Sequence, residues 1–142
     1  MNCAFGTATV SEVPYSFQTF LAFDFGTKKI GTAIGGRLLK SAQSLNTIAA
    51  VGEKRFDRIS DMIDEWKPDA LVVGIPYHPD GESHENTLKA KRFGRQLNGR
   101  FRLSIFEVDE RYSTTEALSR GVKDPDAESA CIILNQFLRS LA

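Results

Sequence analysis

The sequence predicts an α/β domain: a central mixed sheet of five strands flanked by helices, antiparallel at its start and parallel later. Three observations carry this. Residues 20–25 and 30–35 are short β-rich runs joined by the turn-like GTKK, the pattern of a hairpin. ALVVGIP, residues 70–76, is a continuous apolar run of the kind that forms a central parallel strand covered on both faces. Around it, segments with apolar residues at helical spacing alternate with β-rich runs, and no repeat or low-complexity tract interrupts them.

The elements follow in order. Residues 1–18 have neither a basic leader nor a continuous apolar stretch, so they read as a loosely held N-terminal arm without signal peptide or membrane span, ahead of a single domain over 19–142. The first strand and its hairpin partner come next, and a third short strand is expected at 44–48. From 53 to 66, Phe56, Ile59, Met62, Ile63 and Trp66 recur at helical spacing until KPD stops them. After the strand at 70–76 and the loop YHPDGES, a helix is marked by Leu88, Phe93 and Leu97 and is expected to end near Asn98 and Gly99. Residues 103–108 form the next strand. In YSTTEALSRG, Ser113 and Glu116 make a capping box for a short helix that Gly121 stops. Ala130, Ile133, Leu134, Phe137, Leu138 and Leu141 draw the apolar stripe of a terminal helix.

Eighteen Lys and Arg balance eighteen Asp and Glu, so no global basic field marks a polyanionic partner, and any such partner must meet a local patch. One local patch is present. Between 88 and 102 the chain carries Lys89, Lys91, Arg92, Arg95, Arg100 and Arg102 with no acid, which is either a phosphate-neutralising surface or a solvated helix face. Cys3 and Cys131 have no metal-ligand spacing and make no disulfide framework, which fits a reducing, cytoplasmic setting with Cys131 as a small core residue.

The acids carry the chemistry. Asp24 lies in phase with Ala22 and Phe20, where a carboxylate is costly to bury unpaired. It is either a metal-binding or phosphate-facing group at a strand end, or an Asp satisfied by the amides of the FGTKK turn. Gly26 and Gly31 permit a tight turn and close approach of a ligand, so Gly26, Thr27 and Lys28 form a candidate phosphate-facing loop. In VDERYS, Glu110 continues the apolar pleat of Phe106 and Val108, whereas Asp109 follows Glu107 to the other side; an ion pair with Arg111 or another Arg is the alternative. In DPDAESA, Asp126 stands four residues before Ala130 and extends the core-facing stripe. With Asp124 at the N-cap and Pro125 at N1, it would equally serve the helix dipole. Three carboxylates from two strand ends and a helix start make the oxygen set that Mg²⁺ or Mn²⁺ takes, and such ions support phosphodiester hydrolysis.

DFGTKKIG, VVGIP, PDGES, DERYST and DAESACIIL stand in the order and spacing of the YqgF/RuvX family of the ribonuclease H-like superfamily, which the chain resembles from about residue 20 to 138. The resemblance implies a ribonuclease H-like fold and a nuclease, acting in maturation of the 5′ end of precursor 16S rRNA or on Holliday junctions. It implies that Asp24 is the family's first-strand acid, Glu110 the acid of its DER motif and Asp126 the acid opening its last helix, together catalytic and holding Mg²⁺ or Mn²⁺. The partner expected is nucleic acid, with RNA favoured (precursor 16S rRNA or the ribosomal particle) and no membrane; the assembly expected is a monomer or weak homodimer. Lys89, Lys91, Arg92, Arg95 and Arg111 are the candidate nucleic-acid contacts, with Tyr77 and Tyr112 as candidate stacking residues. Where many relatives carry a longer loop with Gly and Lys, only the short VKDPD leads into the last helix here, which removes basic groups beside the site.

Two other readings follow from the same residues. DFGTKKIG also resembles the first phosphate-binding loop of actin-like and sugar-kinase ATPases, but those close two such domains around a nucleotide and this chain has length for one. A non-catalytic RNA- or protein-binding module would keep the fold, yet a phosphate-binding surface gains from losing negative charge, and the three acids are retained. His78 and His84 flank PDGES without a third ligand at zinc spacing.

Overall fold

Alternation along Thr19–Asp24 sends Phe20 and Ala22 to one face of the sheet and Leu21 and Phe23 to the other, and all four are fully buried. Burial on both faces requires a layer of helix on each side, and the computed structural model has that arrangement. It describes residues 7–8, 13–76, 85–109 and 125–141.

The strands are β1 (Thr7–Ala8), β2 (Thr19–Asp24), β3 (Gly31–Gly36), β4 (Ser41–Ser44), β5 (Ala70–Ile75) and β6 (Ser104–Asp109), ordered β1-β6-β5-β2-β3-β4 in one sheet. β2, β3 and β4 form an antiparallel meander, while β2, β5, β6 and β1 run parallel. The five strands expected from the sequence are thus present, and the arm contributes a sixth, pairing Thr7 and Ala8 with Ile105 and Phe106 at the edge. Nearer β2 the chain is also tied down. The carboxylate of Asp69 accepts from the backbone N–H groups of Gln18 and Thr19 at 2.7 and 3.0 Å, and Arg37 donates to the Pro14 carbonyl at 2.8 Å.

Helices α1 (Glu53–Trp66) and α2 (Glu85–Phe101) cover the face formed by Leu21, Phe23, Leu71, Val73, Ile75 and Ile105. Phe93 of α2 is its centre: its ring lies 5.9 Å from Phe23, 4.9 Å from Phe25 and 6.1 Å from Phe56. α1 ends where expected, because Lys67 adopts the left-handed conformation, with its N–H on the Ile63 carbonyl, and Pro68 follows. α2 runs through Asn98 and Gly99 to Phe101, past the expected stop. Phe101 packs on the core, and the turn closes instead at Arg102, at φ 58°, with its N–H on the Asn98 carbonyl.

The third strand also sits earlier than expected, at Ser41–Ser44 rather than 44–48. Leu45 and Ile48 are three residues apart, a spacing that pleated pairing cannot bury on one face. After Ser44 the chain therefore leaves the ladder and returns at Ile48, which exchanges backbone hydrogen bonds with Ile30 at 2.8 and 2.9 Å.

Helix α3 (Pro125–Arg139) covers the other face, on Phe20, Ala22, Ala33, Val72, Phe106 and Val108. It comes close because of Gly35 in β3: a Cβ there would lie 2.8 Å from the Ser41 carbonyl oxygen and 3.0 to 3.1 Å from methyls of Leu138 and Leu134. Cys131 is half-buried and its thiol donates to the Ala42 carbonyl at 3.4 Å. The expected helix at 113–121 lies outside the described residues. Among those described, no helix is long and apolar enough to cross a membrane.

Candidate active site

Asp24 is the last residue of β2, at the carboxyl edge of the parallel part of the sheet, where open α/β sheets receive ligands. Its neighbours in the row are Gly31 of β3 and Gly74 of β5, and beyond Gly74 comes Val108 of β6. The half-buried carboxylate is thus flanked on both sides by residues without side chains. Two strand spacings separate Asp24 from Val108, about 10 Å between their Cα atoms.

The pleat decides which acids share a face. Phe20, Ala22 and Val108 lie on the α3 side, so Asp24 belongs to that side. Glu110 itself lies outside the described residues. Glu107 belongs to the opposite side, where Lys91 of α2 pairs with it at 3.2 Å, and Asp109 shares its parity, level with Ile75. Asp126 is the second residue of α3, one turn ahead of the buried Ala130. Among the described residues no group of three His, Cys, Asp or Glu gathers at metal-binding distance, and Glu110 is not among them.

The loop after Asp24 has a fixed shape. At Gly26 the main chain closes so tightly that a Cβ would run into the carbonyl of Lys29. Thr27, Lys28 and Lys29 are exposed beyond it. Beneath it lies a residue the sequence reading missed, Arg55, buried in the first turn of α1 with its Nη2 donating to the Thr27 carbonyl at 2.8 Å. Its signal was phase: Arg55 stands four residues before the buried Ile59 and next to Phe56, at the border of the apolar stripe.

The basic run on α2 is divided. Lys91 faces inward to Glu107, and Lys89 pairs with Glu85 one turn away at 3.1 Å. Arg100 stacks over Phe56 at 4.0 Å and grips Glu53 with both Nη atoms. Arg92, Arg95 and Arg102 are exposed. Arg111, Tyr77, Tyr112, His78 and His84 lie outside the described residues.

The family described as RuvX, Holliday junction resolvase, matches residues 18–140. The chain belongs to the RuvX family. A relative from Albidiferax ferrireducens named "Putative pre-16S rRNA nuclease" is 64% identical over 92% of this chain and 83% of its own length. Another of that name, from Polaromonas sp., is 60% identical over 94% of this chain and 97% of its own length. Among solved structures, Thermus thermophilus RuvC in complex with a Holliday junction substrate aligns with a TM-score of 0.53 at 13% identity, covering 86% of this chain and 94% of that one. At that identity the likeness concerns the fold, and the RuvX-family chain has the ribonuclease H-like fold.

Proposed function

We propose that this RuvX-family chain is a metal-dependent nuclease that hydrolyses phosphodiester bonds in the 5′-end maturation of precursor 16S rRNA. The observation that carries the reading is the row Gly31–Asp24–Gly74: a carboxylate at the carboxyl edge of the sheet whose two neighbours in the row are glycines. The names of the relatives from Albidiferax ferrireducens and Polaromonas sp. supply the substrate class.

The donor set suits a hard divalent cation, Mg²⁺ or Mn²⁺: Asp24, Glu110 and Asp126 offer carboxylate oxygens, and nothing soft stands with Asp24 in its row. Such a cation supplies the charge that activates water and steadies the leaving oxygen. The chain's own residues do the rest. Asp24 at the sheet edge and Asp126 near the start of α3 would hold the cation, the 26–28 loop receives the neighbouring phosphate, and exposed Arg92 and Arg95 of α2 track the backbone. A Cys, Ser or Lys nucleophile is not needed.

The alternative substrate is a four-way DNA junction, which the solved RuvC complex contains. Incubating the protein with a labelled precursor 16S 5′-leader RNA and, in parallel, with a matched DNA junction separates the two. In Mg²⁺ or Mn²⁺ the RNA is expected to be cut and the junction left intact. Junction cleavage with intact RNA would move the substrate to DNA, and no cleavage of either, with RNA bound, would favour the binding module.

A further inference from the structure

Arg55 is 9% exposed, and its hydrogen-bond and ring partners among the described residues are neutral. Nη2 donates to the Thr27 carbonyl at 2.8 Å, Nε donates to the Ala50 carbonyl at 3.4 Å, and the guanidinium carbon stands 5.4 Å from the centre of the Phe25 ring. Among the described residues the ion pairs are Lys89–Glu85, Lys91–Glu107 and Arg100–Glu53, and none involves Arg55. Desolvation pushes its pKa down from the ordinary value, but a guanidinium starts so high that it stays charged at neutral pH.

A largely desolvated charge whose described partners are dipoles is a standing cost, repaid when an opposite charge arrives. The place of this one says which. Its fork holds Thr27, in the middle of the loop that leaves Asp24, where Gly26 leaves no room for a side chain and Lys28 and Lys29 are exposed. The turn is thus backed by a buried cation and fronted by two exposed ones.

We propose that Arg55 is a positioning residue that fixes the 26–28 turn and supplies the buried counter-charge for a nucleic-acid backbone phosphate seated on that turn, beside Asp24. The inference rests on the nuclease reading for its ligand, but it is tested by binding alone. Affinity of the full chain for a labelled 5′-leader RNA is measured in EDTA over a range of salt, for the parent, Arg55→Met and Arg55→Lys, with cooperative thermal unfolding as the check that each is folded. Arg55→Met is expected to bind on the order of tenfold more weakly, with the slope of log affinity against log salt shallower by about 0.7. Arg55→Lys keeps the slope and recovers part of the affinity, because it keeps the charge but not the planar fork over Thr27. A merely structural role would lower stability and leave binding by the folded variants unmoved. Parental affinity and slope in folded Arg55→Met overturn the proposal; should that variant not fold, parental affinity in Arg55→Lys does so. Cleavage surviving Asp24→Asn would instead remove the nuclease reading and leave this binding result standing.

Discussion

Asp24→Asn is expected to abolish metal-dependent cleavage of the precursor RNA while leaving the protein folded. The substitution keeps the shape and one carbonyl oxygen but removes the negative charge that a hard cation requires. A loss on the order of a thousandfold is expected, which corresponds to about 4 kcal/mol of transition-state stabilisation. Asn is nearly isosteric with Asp and keeps its capacity to hydrogen-bond, and the half-buried Asp24 is the last residue of its strand. Stability should therefore change by no more than about 1 kcal/mol. Cleavage assays and a thermal melt on one preparation check both halves. Undiminished cleavage would remove Asp24 from the reaction, and a variant that no longer unfolds cooperatively would make the acid a folding residue.

Phe137→Ala has the largest expected effect on stability. Phe137 is 1% exposed, with its ring 5.1 Å from Phe20, edge to face, and 5.5 Å from Phe106. Those three rings come from α3, β2 and β6, the elements that carry Asp126 and Asp24 and lead into Glu110. One aromatic cluster therefore docks the acid-bearing parts of the chain on each other. Truncation to Ala forfeits the transfer energy of the ring and leaves a cavity, about 3 to 5 kcal/mol in all. That is a large share of the roughly 5 to 15 kcal/mol by which a domain is stable. In urea the midpoint should fall with the slope unchanged. A cost below about 1 kcal/mol would mean that α3 repacks without this residue.

Much of this was legible in the sequence, for reasons visible in particular residues. Two-sided burial of 70–75 follows from six apolar or small residues in a row, and α3 follows from a stripe with no polar break between Ala130 and Leu141 on its inner face. The parity of Asp24 and the opposite parity of Asp109 were readable because a pleat has period two. What was not readable depends on partners distant in the chain. Lys91 looked like part of a phosphate-binding surface until Glu107, 16 residues on, took it as an ion-pair partner. Arg55 was not singled out, because its partners are the backbone carbonyls of Thr27, far from it in the chain, and of Ala50. The end of α2 was misplaced because Asn98 and Gly99 are good stop signals that tertiary packing of Phe101 overrides.

We propose that three acids, from β2, from the residue after β6 and from the first turn of α3, together hold a divalent cation. Titrating Mn²⁺ into the protein, with the free ion read by electron paramagnetic resonance, tests it directly for the parent, Asp24→Asn, Glu110→Gln and Asp126→Asn. Mn²⁺ is expected to bind the parent and to be weakened at least about tenfold by each single change, because a hard cation's affinity follows its carboxylate count. Binding that is unchanged in all three variants would contradict it.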